Sequence, residues 1–359
     1  MSRHAQGTPS DDRPPGPIEG PSAWFGPDMA ASDAWLHTLS GAEIGELEVA
    51  CGAVGARGLD LMAIGREEFP LPMLGPRLDD IRHELLDGRG FTVLRGLPVE
   101  RYSIEQAATI YWGLGAYFGK PVSQNGKGHL LGHVIDLGFE PDDPKVRIYQ
   151  TTDRQYFHTD SCDIVALLCL KTAEKGGLSS LVSSVTVYNE MARRRPDLAE
   201  VMFQPFEVDR RGEVPEGGKE YFPIATFHWH EGRLSTRYVR RYIESARRLD
   251  EVPPLTESQV AALDLFDELT NDSALKIDIE FKPGDMQFLH NHQILHDRTA
   301  FTDWEDPAEK RHLLRLWLCP PDGRPLPEAF AGNYGSVEIA NRGGIRAPGM
   351  VLQAPLEAS

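Results

Sequence analysis

The sequence predicts a mainly β fold with helices flanking the core and a helical insertion ahead of the last strands. Three observations carry that expectation. Ile164 to Leu170 is a continuous apolar run of strand length, which suits a strand buried on both faces. Leu275, Ile277, Ile279 and Phe281 alternate with Lys276, Asp278 and Glu280, the pattern of a half-buried strand. Ser103 with Gln106, and Thr256 with Gln259, form capping boxes ahead of apolar-periodic stretches, which places helices outside that core.

The chain has 359 residues, long enough for two average domains or for one barrel or sandwich with insertions. The elements favour the latter, a single domain over residues 23–359 with the insertion at about 187–272. Hydrophobic residues at 41% and charged residues at 25% describe an ordinary globular chain. Acidic residues outnumber basic ones 54 to 37, and the net charge of −17 argues against a nucleic-acid or anionic-membrane binder. Residues 1–22, rich in Gly, Pro, Ser, Asp and Arg, read as a disordered tail without the apolar stretch of a signal peptide. No run approaches the roughly 18 apolar residues of a membrane span, so a cytoplasmic protein is expected. Cys51, Cys162, Cys169 and Cys319 form no CxxC pair and read as buried thiols, with Cys162 also near enough to Asp160 to neighbour a site.

In chain order, Leu78, Ile81, Leu85 and Leu86 fall at helical spacing before Gly88, and Phe91 to Leu94 reads as a strand stopped ahead of Gly96 and Pro98. Ala107 to Phe118 continues the helix opened at Ser103 and ends at Gly119. Lys120 to Arg154, rich in Gly, Pro and Asp, reads as loops beside an opening. Gly176-Gly177 turns the chain after the apolar strand, and Leu178 to Val185 alternates through serines, of which Ser179 suits hydrogen bonding to a bound carboxylate or to nearby backbone. Residues 187–269 turn helical and charged, and Arg237, Arg240, Arg241, Arg247 and Arg248 read as a solvated or salt-bridged helix face. Pro283-Gly284-Asp285 makes a turn, and Met286 to Leu289 begins a strand that leads into His290-Asn291-His292-Gln293-Ile294-Leu295-His296.

Tyr156-Phe157-His158-Thr159-Asp160 lies in an extended run. His158 and Asp160 therefore share a face, roughly 6.5 Å apart at the backbone, where they can hold one ion. Two His and one carboxylate on one face of a metal, with open positions opposite, is the arrangement of non-heme Fe(II) oxygenases. The second His comes from His228, His230, His290, His292, His296 or His312. His292 and His296 have the spacing of a zinc HExxH motif but lack its Glu, and His228-Trp229-His230 is an alternating pair of the kind seen in cupin-like sites. Downstream, Arg311, Leu313, Arg315 and Trp317 fall on one strand face, and two arginines there suit an anion pocket. They stand roughly 13 Å apart along the strand and so serve different groups.

His158-Thr159-Asp160, Gly176-Gly177-Leu178-Ser179, the Gly284-Asp285 turn, Asn291 five residues ahead of His296, and the Arg311/Arg315 pair follow one another in an order that resembles the TauD/TfdA dioxygenases. The resemblance spans roughly Phe91 to Pro327. It implies a double-stranded β-helix, a jelly roll with a metal at its mouth. It implies Fe(II) on His158, Asp160 and His296, with 2-oxoglutarate held by Arg311 and Ser179, and Arg315 on cosubstrate or substrate. The implied reaction uses O2, converts 2-oxoglutarate to succinate and CO2, and oxidises a C–H bond of a small organic substrate; Arg315 suits either an anionic group on that substrate or a structural salt bridge. The carboxylate at Asp160 favours hydroxylation over halogenation, and homo-oligomers are a family expectation. The alternative is a cupin-like metal-dependent hydrolase or isomerase that does not use 2-oxoglutarate.

Overall fold

In the computed structural model, which describes residues 13–14, 16–139 and 147–358, the chain first lays down β1 (Leu36–Thr38), β2 (Phe91–Arg95), β3 (Lys120–Pro121) and β4 (Leu131–Ile135). Next come β5 (Gln155–His158), β6 (Ile164–Lys171), β7 (Lys175–Gly176) and β8 (Ser179–Ser183). The insertion carries β9 (Pro205–Asp209), β10 (Tyr221–Ala225), β11 (Phe227–His230) and β12 (Arg233–Thr236). The last strands are β13 (Lys276–Ile279), β14 (Met286–His290), β15 (Ile294–Arg298), β16 (Phe301–Thr302) and β17 (His312–Cys319). A seven-stranded sheet runs β1-β2-β14-β6-β17-β3, with β4 also on β17, and a four-stranded sheet runs β13-β8-β15-β5. The two sheets make the expected jelly roll.

The apolar strands explain the layering. Val165 and Cys169 of β6 turn inward with Leu313 and Trp317 of β17 to meet Leu181 and Ile277 of the smaller sheet. Ile164, Ala166 and Leu168, with Leu314, Leu316 and Leu318, turn outward onto the helices Gly41–Arg57, Gly75–Asp87 and Ile104–Gly115. β6 is therefore covered on both faces, as its unbroken apolar run requires. The outer face of the smaller sheet, through Phe157, Val182 and Leu295, packs against Phe206, Phe227 and Phe266 of the insertion.

Both capping boxes are present, at Ser103 for the helix Ile104–Gly115 and at Thr256 for Glu257–Asn271. The first helix stops at Gly115, short of the expected Phe118. Gly284 has φ +86°, and a Cβ there would stand 1.8 Å from the Leu97 carbonyl oxygen, so the turn into β14 needs glycine.

Three expectations are corrected. The insertion is not purely helical: it holds two antiparallel hairpins, β9 with β10 and β11 with β12. Phe206 and Val208 pair with Ile224 and Phe222, and these alternating apolar residues fill the outer core, a period-two signal interrupted by the loop between them. The stretch 120–154 is not all loop: β4 pairs with β17 from His312 to Leu316, while residues 140–146 of that stretch lie outside the described residues. The described part of the expected disordered tail is packed. Arg13 pairs with Glu200, Ile18 exchanges hydrogen bonds with Asn189, and the Ser22 carbonyl accepts from Ser183. Residues 1–12 and 15 lie outside the described residues. Among the described residues no helix is long and apolar enough to cross a membrane.

Candidate active site

Antiparallel pairing of β15 with β5 sets His296 directly opposite His158, and their ring centroids lie 4.1 Å apart. The strand ends at His158, short of the extended run expected through Asp160, and Asp160 turns its carboxylate between the two rings. Oδ1 lies 3.8 Å from His158 Nε2, and Oδ2 lies 3.7 Å from His296 Nε2. One donor atom from each of the three residues falls within 4.8 Å of the others, the one such grouping of His, Cys, Asp or Glu among the described residues. His158 and His296 are buried. Two imidazoles and a carboxylate at this spacing fit a divalent iron ion.

The surrounding groups orient this set. His158 Nδ1 donates to the Tyr156 carbonyl at 2.8 Å, which turns Nε2 toward Asp160. The Gln155 amide stands 2.8 Å from that Nε2 and must yield to a metal. Asn291 fixes the loop from inside: its Oδ1 accepts from the Asp160 N–H at 2.9 Å, and its amide nitrogen donates to the carbonyls of Asp160 and Cys162. Trp317 Nε1 donates to Asp160 Oδ2 at 3.0 Å, and Arg315 Nη1 lies 3.8 Å from the same oxygen. Burial pushes the Asp160 carboxyl up, but the adjacent His296 and the charge of Arg315 outweigh it and hold the acid well below the usual carboxylate range. Burial, with His296 alongside, pulls His158 down to about 3, so its Nε2 presents a lone pair to a metal.

Arg311 and Arg315 occupy different surroundings. Arg315 lines a cavity of about 740 Å³ that also reaches His158 and Asp160; its Nε donates to Gln124 at 2.7 Å. Arg311 lies deeper, buried against the Phe301 ring at 5.2 Å, and its Nη1 has no partner among the described residues. Burial lowers it to about 10. Gly177, at φ +70°, leaves room for it: a Cβ there would stand 3.0 Å from Arg311 Nε. Ser179 is buried and donates to Gln287 Oε1 at 3.0 Å, which leaves Gln287 Nε2 without a partner among the described residues.

The sequence reading missed Arg298. It sits two residues beyond His296 on β15 and opposite Ser179, so it shares the inward face with both. It is buried, lies 4.8 Å over the same Phe301 ring, and has Nε and Nη1 unpartnered among the described residues. Burial and the nearby charge of Arg311 lower it to about 9. The signal was available, since His-x-Arg in a strand repeats the alternation that linked His158 with Asp160. These orphaned donors suit the carboxylate of 2-oxoglutarate.

The other histidines are accounted for elsewhere. His292 Nε2 bonds Asp163 at 2.7 Å, His290 lies beside Arg324, and His312 bonds His133 at 2.8 Å. His228 bonds the Ala225 carbonyl, and His230 faces Glu231. Cys162 is fully buried with its thiol on the Ile164 carbonyl, a packing residue. Of the expected arginine face, Arg240, Arg247 and Arg248 are salt-bridged as expected, but Arg237 is buried and donates to Thr159 at the metal loop. Its strand-end neighbour Tyr238 hydrogen-bonds Thr159, which no local pattern reveals.

Residues 56–317 match the family described as Taurine catabolism dioxygenase TauD, TfdA family. FR-33289 synthase of Streptomyces rubellomurinus (strain ATCC 31215) is 31% identical over 329 residues, covering 90% of this chain and 96% of the relative. A uridine-5'-phosphate dioxygenase of a Streptomyces species is 27% identical over 249 residues, 65% of this chain and 86% of the relative. Among solved structures, asparagine oxygenase in complex with Fe(II), 2S,3S-3-hydroxyasparagine and succinate aligns with a TM-score of 0.63 at 17% identity, covering 79% of this chain and 93% of that one. The non-heme iron oxygenase OrfP in complex with Fe and alpha-ketoglutaric acid aligns at 0.58 and 17% identity, over 79% of this chain and 93% of that one. Family membership, which geometry alone does not give, decides between the dioxygenase and the cupin-like hydrolase. The chain belongs to the taurine catabolism dioxygenase TauD, TfdA family, and is an Fe(II)- and 2-oxoglutarate-dependent dioxygenase.

Proposed function

We propose that this chain hydroxylates a small organic anion, with Fe(II) on His158, Asp160 and His296, and with the distal carboxylate of 2-oxoglutarate on Arg311 beside Ser179. The observation that carries this reading is the meeting of two imidazoles and one carboxylate, from residues as far apart in sequence as His158 and His296, within 4.8 Å. The bound metal and cosubstrate supply the oxidising power, with succinate and CO2 as co-products. The protein's own residues do the rest. Trp317 and Arg315 hold the Asp160 carboxylate in one orientation. Asn291 fixes the loop that carries it. Arg311 and Arg298 are buried with unpartnered guanidinium nitrogens among the described residues, and away from bulk water a guanidinium interacts more strongly with an anion. Arg315, on the cavity wall beside the metal set, faces the substrate rather than the distal carboxylate of the cosubstrate. The uridine-5'-phosphate relative supports an anionic substrate. The four free cysteines suit a reducing compartment and support a cytoplasmic location.

Anaerobic addition of Fe(II) and 2-oxoglutarate is expected to give the visible absorption band of the metal-bound keto acid, and Arg311→Ala should raise the 2-oxoglutarate concentration it needs at least tenfold. Asp160→Ala should abolish substrate-dependent succinate release, and normal turnover in that variant would defeat the ligand assignment.

A further inference from the structure

The cavity over the metal set carries more positive charge than a monoanionic substrate can answer. Nine arginines line it against seven acids, in a chain whose net charge is −17. Most of those acids are committed. Glu213 pairs with Arg147 at 2.5 Å, while Glu244, Asp264 and Asp267 all converge on Arg240. Asp209 pairs with Arg248, and Asp160 belongs to the metal set. Among the described residues Arg210, Arg237 and Arg346 have no carboxylate within salt-bridge distance, and Arg315 has only Asp160. Arg237 is 6% exposed and its buried Nε has no partner, although Nη1 donates to the Thr159 carbonyl and hydroxyl at 2.8 and 3.0 Å. The buried Nε of Arg210 is likewise unpartnered, while its Nη2 donates to the Gly332 carbonyl.

The metal and cosubstrate do not cancel this charge. A divalent ion, the Asp160 carboxylate and the metal-side carboxylate of 2-oxoglutarate sum to neutrality, and the distal carboxylate is assigned to Arg311, away from this cavity's lining. We propose that the cavity binds a substrate carrying a phosphate- or phosphonate-type dianion, seated on Arg237 and Arg315, with Arg210 and Arg346 adding to the positive field. This rests on the dioxygenase reading and names the class of its substrate. A tetrahedral dianion offers three acceptor oxygens, which match guanidinium forks better than the two of a carboxylate. A sulfonate has the shape but half the charge. Tyr149, Tyr242 and Phe222 share the lining and give a ring or hydrocarbon remainder a surface to lie on.

The test uses the full chain loaded with Fe(II) and 2-oxoglutarate without oxygen, titrated calorimetrically at pH 8 with phenyl phosphate, benzenesulfonate and benzoate. Phenyl phosphate is expected to bind at least tenfold tighter than either monoanion. Arg237→Gln should weaken it at least tenfold, and the exposed Arg346→Gln, which does not disturb the Thr159 loop, about threefold. The proposal is overturned if wild-type protein binds the three probes within a factor of two or binds none. It is also overturned if both variants bind phenyl phosphate as wild type does. The absorption of the metal-bound cosubstrate, read on the same wild-type sample, reports separately on the dioxygenase assignment.

Discussion

At the scale of single residues, Arg298 is the side chain whose chemistry is hardest to explain by packing. A guanidinium that is 7% exposed, with two nitrogens unpartnered among the described residues and a second buried guanidinium acting on it, is costly to fold without an anion to receive. Its place beside Ser179 and on the Phe301 ring shared with Arg311 puts it next to the residues we propose for the distal carboxylate of 2-oxoglutarate. Arg298→Gln is therefore expected to raise the KM for 2-oxoglutarate about tenfold or more with kcat changed less than about threefold, consistent with roughly 1.5–3 kcal/mol for a charge-assisted hydrogen bond. Steady-state kinetics at varied 2-oxoglutarate decide it, and an unchanged KM would make Arg298 a packing residue.

At the scale of elements, β17 joins three tasks on one strand. Its inward face carries Arg315 and Trp317 to the Asp160 carboxylate, and its outward leucines hold the helices. Its first residue, His312, bonds His133 of β4, which in turn bonds the Pro355 carbonyl. Burial, then His133 and Lys171, draw His312 down to about 4 from an ordinary 6.5. The folded state thus keeps it neutral, and the unfolded chain binds a proton more readily between those values. Its contribution to stability is fully present above about pH 6.5 and is lost as pH falls toward about 4, a total of about 1–3 kcal/mol. Urea midpoints at pH 7.5 and 5.0 should fall further for wild type than for His312→Gln, and an equal fall in both would remove His312 from the cause.

At the scale of the whole molecule, the C-terminal stretch closes the fold over the metal loop. Arg342, fully buried as a side chain, grips Asp163 with both Nε and Nη2, and Asp163 also receives His292. Arg342 Nη2 reaches the Arg324 carbonyl, and Tyr334 donates to the Cys162 carbonyl at 3.0 Å. The loop holding Asp160 is thereby fastened from residues more than 170 positions away. Arg342→Met leaves the Asp163 carboxylate buried with only His292, and should cost about 3–5 kcal/mol. Thermal unfolding of metal-free protein measures this. A shift in Tm of less than about 2 °C would mean that the pair adds little beyond its desolvation cost.

The sequence by itself determined core strands such as β2, β6, β13 and β14, the capping boxes and the His158/Asp160 pair, because period, caps and turn chemistry are local and leave their mark on neighbouring residues. It also read Arg311 and Arg315 onto one strand face, although β17 begins only at His312 and its register shifts between His312 and Leu313. Which of six downstream histidines completes the metal set was not decided by the spacing of side chains alone; the resemblance pointed to His296, and the β5–β15 register puts it opposite His158. Arg237 read as a surface charge because nothing near it in sequence reveals that the segment after β12 runs beside Thr159. Arg298 went unread for a related reason: its value as an anion ligand depends on no carboxylate standing within salt-bridge distance among the described residues, and partners in space are what tertiary structure alone assigns.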